Sequence, residues 1–226
     1  MNRVLKVLEP LFLILVPLVL GVCAYYSVEY TAILTLGTVI ISVVPFFLHF
    51  EHKRPRPRDV MPIVVLSSIA AVGRIIFAPF PNVKPVTAIV ILSGVCFGKE
   101  SGFLTGALAA LASNMFFGQG PWTPWQMYAW GLIGYLAGAI NHSRFLDKLG
   151  CVCVFGFIAS LMFGFIMDSW YVVGYVSPIT LQAALLAYGA GVPFTMAQAV
   201  STVLFLVPIY KPWRKKINRI QRKYGI

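Results

Sequence analysis

Long uninterrupted apolar runs are the feature that most limits what this chain can fold into. They lie at about 9–27, 30–50, 59–79, 85–98, 102–117, 125–141, 151–173 and 191–210. A helix needs ~20 apolar residues to cross the ~30 Å hydrocarbon layer of a bilayer. The runs are continuously apolar rather than alternating, which favours helices over a membrane β-barrel. Because 59% of the residues are hydrophobic and 11% charged, an ordinary soluble domain is excluded. The sequence predicts an all-α integral membrane protein with about eight transmembrane segments.

The first apolar run follows two basic residues, Arg3 and Lys6, as in a secretory signal peptide. No small-x-small cleavage site followed by a soluble domain comes after it, so we interpret the run as a retained span. The predicted organisation has four parts. They are an N-terminal two-helix hairpin at 1–50, a basic linker at 51–58, a six-helix body at 59–210 and a basic tail at 211–226.

The basic residues predict the orientation in the membrane. If the N-terminus is cytoplasmic, all 18 Lys and Arg except Arg74 and Lys84 fall on the cytoplasmic side, as the positive-inside rule requires. Omitting the short run 85–98 would place the basic tail outside, so we count it as a span. We therefore expect a plasma-membrane protein with both termini cytoplasmic. The net charge of +11 then faces anionic lipid rather than nucleic acid, and the tail is expected to lie along the inner interface.

An aromatic loop, Gly-Gln-Gly-Pro-Trp-Thr-Pro-Trp at 118–125, is predicted to lie on the outer side. Trp and Tyr at span ends often form a membrane belt, whereas rigid aromatics beside amides suit a planar ligand. The two prolines stiffen the loop and favour ligand contact. The residues of this group are Gln119, Trp122, Trp125, Gln126, Tyr128 and Trp130. A second aromatic group is Trp170, Tyr171 and Tyr175, beside a predicted external stretch at 174–190.

Polar residues inside the apolar runs are further candidates for function. Arg74 and Asp168 lie at similar depths in two spans, where a charge is costly unless it faces a cavity or a partner. They could contact a polar ligand, or they could form a buried ion pair that fixes helix packing. Asn114 could cap its helix or line a pocket. Small residues spaced by four, at Gly102–Gly106 and Gly134–Gly138, predict close helix packing within the chain.

The sequence lacks the motifs of a metal, nucleotide or catalytic centre. The four cysteines lie in apolar segments, where a thiol behaves as a small hydrophobe. The three histidines form no ligand motif. Lys99 follows a glycine but lacks the spacing of a phosphate-binding loop. We therefore expect no metal, no intrinsic cofactor and no enzymatic activity, and any uphill transport must draw on a partner.

A block of motifs in the body resembles a known family. It contains Gly-Arg-Ile-Ile-Phe at 73–77, Pro-Asn-Val-Lys-Pro-Val-Thr-Ala at 81–88 and Gly-x-x-Phe-Gly-Lys-Glu-Ser-Gly-Phe-Leu-x-Gly-Ala-Leu at 94–108. Ser113-Asn114 and the aromatic loop, extended to Met127, complete it. The block resembles the S component of energy-coupling factor (ECF) transporters, specifically the group proposed to take up cobalamin.

The resemblance implies a six-helix core of prokaryotic origin that captures a vitamin outside the cell. It also implies association with a transmembrane T component and two ATPase subunits, whose ATP hydrolysis drives release inside. The candidate ligand-contact residues are Arg74, Asn82, Lys84, Asn114, Gln119, Trp122, Trp125, Gln126, Tyr128, Asp168, Trp170 and Tyr171. The family docks its T component through a small-residue motif on the first core helix. The nearest match here is Ser67-x-x-x-Ala71, with Ala70 beside it.

Cobalamin is the expected ligand, and the stretch 174–190 could act as a lid over so large a molecule. Two alternatives remain. The same architecture could bind another vitamin or a modified-base precursor. A different class of protein is an intramembrane enzyme that uses Arg74 and Asp168 on a lipid; no clustered nucleophile and base supports it.

Overall fold

The computed structural model describes residues 10, 11, 13–19, 22, 31–52 and 56–225, and all regular secondary structure within them is helical. This confirms the predicted all-α class. The helices that the structure delimits are α1 (Thr31–His52), α2 (Pro57–Ile76), α3 (Val86–Phe97), α4 (Lys99–Phe117), α5 (Trp122–Ile140), α6 (Leu149–Tyr175) and α7 (Leu181–Tyr224). Two short 3-10 turns connect α5 to α6. The charged residues Arg3, Lys6, Lys53 and Arg54 lie outside the described residues.

The helices run alternately between two ends of a bundle. One end, here called the Trp122 end, brings together the end of α2, the end of α4 and the start of α5 through hydrogen bonds of Arg74. The opposite end, here called the Lys99 end, carries the other described Lys and Arg residues. Arg74 and Lys84 are thus the only described cations at the Trp122 end. The side of the membrane that each end faces remains a prediction.

The helices differ in whether they are long enough to cross a membrane. Among the described residues, α2, α6 and α7 are long and apolar enough to cross a membrane by length and composition. Helix α3 has 12 residues, or about 18 Å at ~1.5 Å per residue. It is buried from Val86 to Val95, so neighbouring helices surround it. The count of eight crossings remains a prediction.

Close packing of α3, α4 and α5 forms the centre of the bundle. A Cβ added at Gly134 would overlap the carbonyl oxygen of Gly102, and one at Gly94 would overlap that of Gly134. The backbones therefore touch where these glycines meet. Gly98, with φ of 90°, reverses the chain between α3 and α4 in a conformation that favours glycine. The predicted internal role of the Gly102 and Gly134 stripes is confirmed.

The predicted bounds of the loop at 174–190 are wrong. Helix α6 continues to Tyr175 and α7 begins at Leu181, so only 176–180 is non-helical between them. Thr180 starts α7 by accepting a hydrogen bond from the Ala183 N–H at 3.2 Å, as an N-cap residue does. A connection of this length leaves little chain for the expected lid.

Residue 210 is also not a helix end, because α7 continues without a break through the tail to Tyr224. Pro208 and Pro212 lie inside it, and each removes a backbone donor, which permits a bend. Beyond them the helix crosses the Lys99 end: the Arg214 guanidinium pairs with Asp147, and Gln221 donates to the Cys96 carbonyl at 2.8 Å.

Candidate functional site

A buried polar network lies at the Trp122 end and is centred on Arg74. The Arg74 Nη1 donates to Ser113 Oγ and to Asn114 Oδ1, each at 2.7 Å. Asn114, which is fully buried, donates in turn to Gln126 Oε1 at 2.8 Å and to Thr123 Oγ1 at 3.0 Å. Helices α2, α4 and α5 are therefore joined through neutral partners of one guanidinium. Asn114 bridges these helices rather than capping one of them.

Gln119 extends this network into the aromatic loop. Its Oε1 accepts from Thr123 Oγ1 at 2.9 Å, and its Nε2 donates to the Leu111 carbonyl at 3.0 Å. The loop is thereby tied to α4 and to the start of α5. Four of the predicted contact residues, Arg74, Asn114, Gln119 and Gln126, thus meet in one network.

Lys84 and Asn82 lie beside Arg74 in the loop between α2 and α3. The Lys84 Nζ donates to Asn82 Oδ1 at 3.1 Å and lies 5.7 Å from the centroid of the Trp130 ring. Burial, together with the nearby Arg74 charge, lowers the pKa of Lys84 to about 7. A cavity of about 170 Å³ lies between these two cations, with Asn82 and Phe117 in its wall.

Two aromatic rings, Phe117 and the buried Trp130, lie beside Arg74. The Arg74 Cζ lies 4.8 Å from the Phe117 ring centroid and 5.2 Å from that of Trp130, which is within the range of a cation–π interaction. Trp130 is fully buried and its indole N–H donates to Thr87 Oγ1 at 3.3 Å. Trp130 belongs to the aromatic group predicted from the sequence, but it is not among the individual candidate contact residues. Its place beside both cations depends on helix packing, which the sequence does not specify.

A second aromatic cluster lies near the loop ends. The Trp122 and Trp170 rings meet edge to face at 6.4 Å, Trp170 meets Tyr175 at 5.3 Å, and Tyr171 stacks on Tyr175 at 5.8 Å. A cavity of about 250 Å³ adjoins Trp170 and Pro121. Trp122 of the first aromatic group therefore meets the second group across α5 and α6.

Trp125 and Tyr128 point elsewhere. Trp125 is fully buried in the core cluster that also contains Leu13, and the Tyr128 hydroxyl donates to the Leu13 carbonyl at 2.7 Å. Both side chains face the N-terminal segment and α1 rather than the Arg74 cavity. Their placement fits core packing, and their contact with a ligand stays a prediction.

Asp168 does not approach Arg74. Its carboxylate packs against Gly191 of α7 and lines a groove of about 470 Å³ between α6 and α7, with Phe165 and Tyr188. The proposed ion pair between Asp168 and Arg74 is therefore wrong, because each residue lines a separate cavity.

The small residues proposed for T-component docking face inward. Ser67, Ala70 and Ala71 are buried at 5%, 0% and 5% exposure. They pack inside the bundle, where α2 contacts α3 and α4. Docking through these residues stays a prediction; the surface that α2 leaves open carries other side chains, among them Val64 and Val72.

Comparison with known families identifies the architecture. Residues 58–215 match the family described as ECF-type riboflavin transporter, S component. The chain belongs to this family. The match begins at the start of α2 and ends in the tail, so it covers the six described helices that follow the linker. Searches among curated proteins and among solved structures each returned no match.

Membership in this family establishes the general role of the chain. It is the substrate-capture subunit of an ECF transporter and is a membrane protein. An S component is not an enzyme, and the family implies a T component and ATPase subunits as partners. The rival interpretation as a lipid-modifying enzyme also loses its structural basis, because Arg74 and Asp168 are apart.

Proposed function

We propose that the S component captures a water-soluble vitamin at the Trp122 end and that this end faces outward. The supporting observation is that the Arg74 network and the Trp122–Trp170 ring pair lie at the same end of the bundle. Flat rings can stack on the indoles, while the amides and the guanidinium can bond polar substituents. The charge bias, with nearly all described cations at the opposite end, supports the orientation.

Cobalamin is the proposed ligand. The motif block 73–138 resembles the cobalamin-uptake group, and it includes Arg74, Asn82, Lys84 and Asn114. The rim of a corrin ring carries amide groups, which can donate to and accept from the Asn and Gln side chains of the site. Binding so large a ligand requires the three loops at this end to separate.

Riboflavin is the second candidate, because the family that the chain matches is described by that vitamin. Its flat ring system suits the edge-to-face pair of Trp122 and Trp170. Other vitamins or a modified-base precursor would use the same end of the bundle with different contacts.

The proposed transport step requires partners. The T component and two ATPase subunits bind the S component, and ATP hydrolysis in the ATPases drives reorientation and release inside the cell. We propose that the T component contacts the exposed face of α2 formed by Val64, Ser68 and Val72, which lie outside the groove at the start of this helix. The S component supplies binding and orientation of the vitamin and catalyses no reaction.

Competition binding tests the ligand assignment. The purified protein is titrated with cobalamin while its tryptophan fluorescence is recorded, and riboflavin and a panel of other vitamins then compete. Submicromolar binding of cobalamin with no displacement by riboflavin is the expected result. Failure to bind cobalamin at submicromolar concentration overturns that assignment, and tight binding of riboflavin instead selects the second candidate.

A further inference from the structure

A groove at the Lys99 end, far from the vitamin site, has the chemistry of a lipid site. It lies between the start of α2 and the tail portion of α7, with a volume of about 380 Å³. We call it the Arg58 groove; its lining includes Arg58, Met61, Val65, Phe97, Ile217 and Ile220. The volume is within the ~300–1,000 Å³ of typical ligand pockets, and every lining side chain named here except Arg58 is apolar.

Arg58 is the polar group of this groove, and its bonding is incomplete. Its Nε is buried and has no hydrogen-bond partner among the described residues. Its Nη1 reaches the Tyr224 carbonyl only at 3.5 Å. A buried guanidinium N–H without an acceptor is costly, so an anionic acceptor beside the groove would stabilise the arrangement.

The stretch of α7 that lines the groove is strongly positive. Exposed side chains on the same stretch of α7 include Lys216, Arg219, Arg222 and Lys223. The Gln221 amide holds this stretch against the end of α3 through the Cys96 carbonyl. The described residues of the tail contain no acidic side chain. An apolar groove beside a cluster of cations matches a molecule with an acyl chain and an anionic headgroup.

We propose that the Arg58 groove binds one anionic phospholipid, with an acyl chain against Val65 and Ile220 and the phosphate bonded by Arg58. Arginine is suited to this role because its planar fork donates two parallel hydrogen bonds to a phosphate. The lipid would join the tail to α2. This site is independent of the vitamin, so its test succeeds or fails separately from the proposed function.

Native mass spectrometry of the full chain in detergent tests the proposal. The protein is titrated with phosphatidylglycerol or with phosphatidylcholine of the same acyl chains. We expect the first lipid to bind about tenfold more tightly, because both lipids carry the phosphate but only phosphatidylcholine adds a quaternary ammonium, which the Arg58 guanidinium repels. Equal binding of the two lipids overturns the proposal, and is also the result expected if the groove instead holds a partner helix.

Three variants locate the site. Arg58→Gln should abolish the preference for phosphatidylglycerol, whereas Arg219→Gln, an equal change of charge on the exposed tail, should retain it. Val65→Trp fills the groove and should weaken binding of both lipids. Equal losses in Arg58→Gln and Arg219→Gln would show diffuse surface attraction and contradict the proposal. Unchanged binding in Val65→Trp would also contradict it. If Arg58→Gln fails to fold, the proposal is judged from the binding of the two lipids to the wild type and to Val65→Trp.

Discussion

Asn114 is the residue on which the polar network at the Trp122 end depends. Its carbonyl oxygen accepts from Arg74 at 2.7 Å, and its amide donates to Gln126 at 2.8 Å and to Thr123 at 3.0 Å. No other described side chain bonds all three. A single fully buried amide thus orients the guanidinium of Arg74 and the side chain of Gln126, which we propose contact the ligand.

Replacing Asn114 by Leu should lower the free energy of unfolding by roughly 1–3 kcal/mol, because Arg74, Gln126 and Thr123 would each lose a buried hydrogen bond. Chemical denaturation in detergent, followed by circular dichroism, measures the change. The exposed tail variant Asn218→Leu is the matched control and should unfold like the wild type. Equal stability of the Asn114 variant and the wild type would show that the network contributes nothing.

Trp122 and Trp125 are three residues apart but should respond differently to Ala. Trp122 lies against Trp170 at the ligand end, so Trp122→Ala should weaken vitamin binding, by roughly tenfold for the loss of one aromatic anchor. Trp125 is fully buried, so Trp125→Ala should cost about 3–5 kcal/mol of stability. Titration and unfolding of both variants provide the comparison. Reversed effects would exchange their assigned roles.

Lys84 should make stability depend on pH. Its pKa is lowered to about 7 in the folded chain, against ~10.4 in an unfolded one. Between these values the unfolded state binds more protons, so stability rises as pH increases through this window. Thermal unfolding at pH 7 and pH 9 should show the rise in the wild type. The rise should be smaller in Lys84→Met, and an identical pH dependence of the two proteins would contradict the assignment.

At the scale of helices, the glycine contacts among α3, α4 and α5 determine how closely the bundle packs. Gly134→Ala would place a methyl group against the Gly102 backbone. Overpacking of this kind costs about 1–3 kcal/mol, and here backbone atoms must move. Gly150→Ala is the control, because nothing lies within 4 Å of its added Cβ. We expect a lower unfolding midpoint for the first variant only, and equal midpoints would show that the helices can separate at no cost.

Helix positions were largely predictable, and some helix ends were not. Continuous apolar runs indicate membrane helices because burial in lipid requires internal backbone bonding. Helix α7 begins at Leu181, ten residues before the predicted run 191–210. Its start was missed because Gln182, Tyr188 and Gly189 interrupt the apolar pattern of the intervening stretch. The continuation beyond residue 210 was missed because basic residues mark the end of a span but do not end a helix.

The site was predictable in composition and only partly in geometry. Arg74 and Asn114 are noticeable as polar residues within apolar runs, and the structure joins them. The separate positions of Trp122 and Trp125 depend on where α5 starts, which is at Trp122. The helix gives the two rings different neighbours. The pairing of Arg74 with Asp168 failed because similar depth in two spans does not imply adjacent faces.

At the scale of the whole molecule, the two ends of the bundle carry different chemistry. The Trp122 end holds the Arg74 network and the aromatic rings, and the Lys99 end holds the cationic tail. The family match from residue 58 to residue 215 includes both ends. The N-terminal segment and α1 precede this match, and they add to the core through Leu13 and Phe46. They therefore add helices beside Trp125 to the part of the chain that the family match covers.

Purification of the chain from its native membrane in mild detergent, with mass spectrometry of the proteins and small molecules that accompany it, tests whether the chain is the substrate-capture subunit. We expect a T component, two ATPase subunits and a bound vitamin, with cobalamin as the expected molecule. Recovery of the chain without ATPase subunits and without any vitamin would contradict its assignment as the substrate-capture subunit of an ECF transporter.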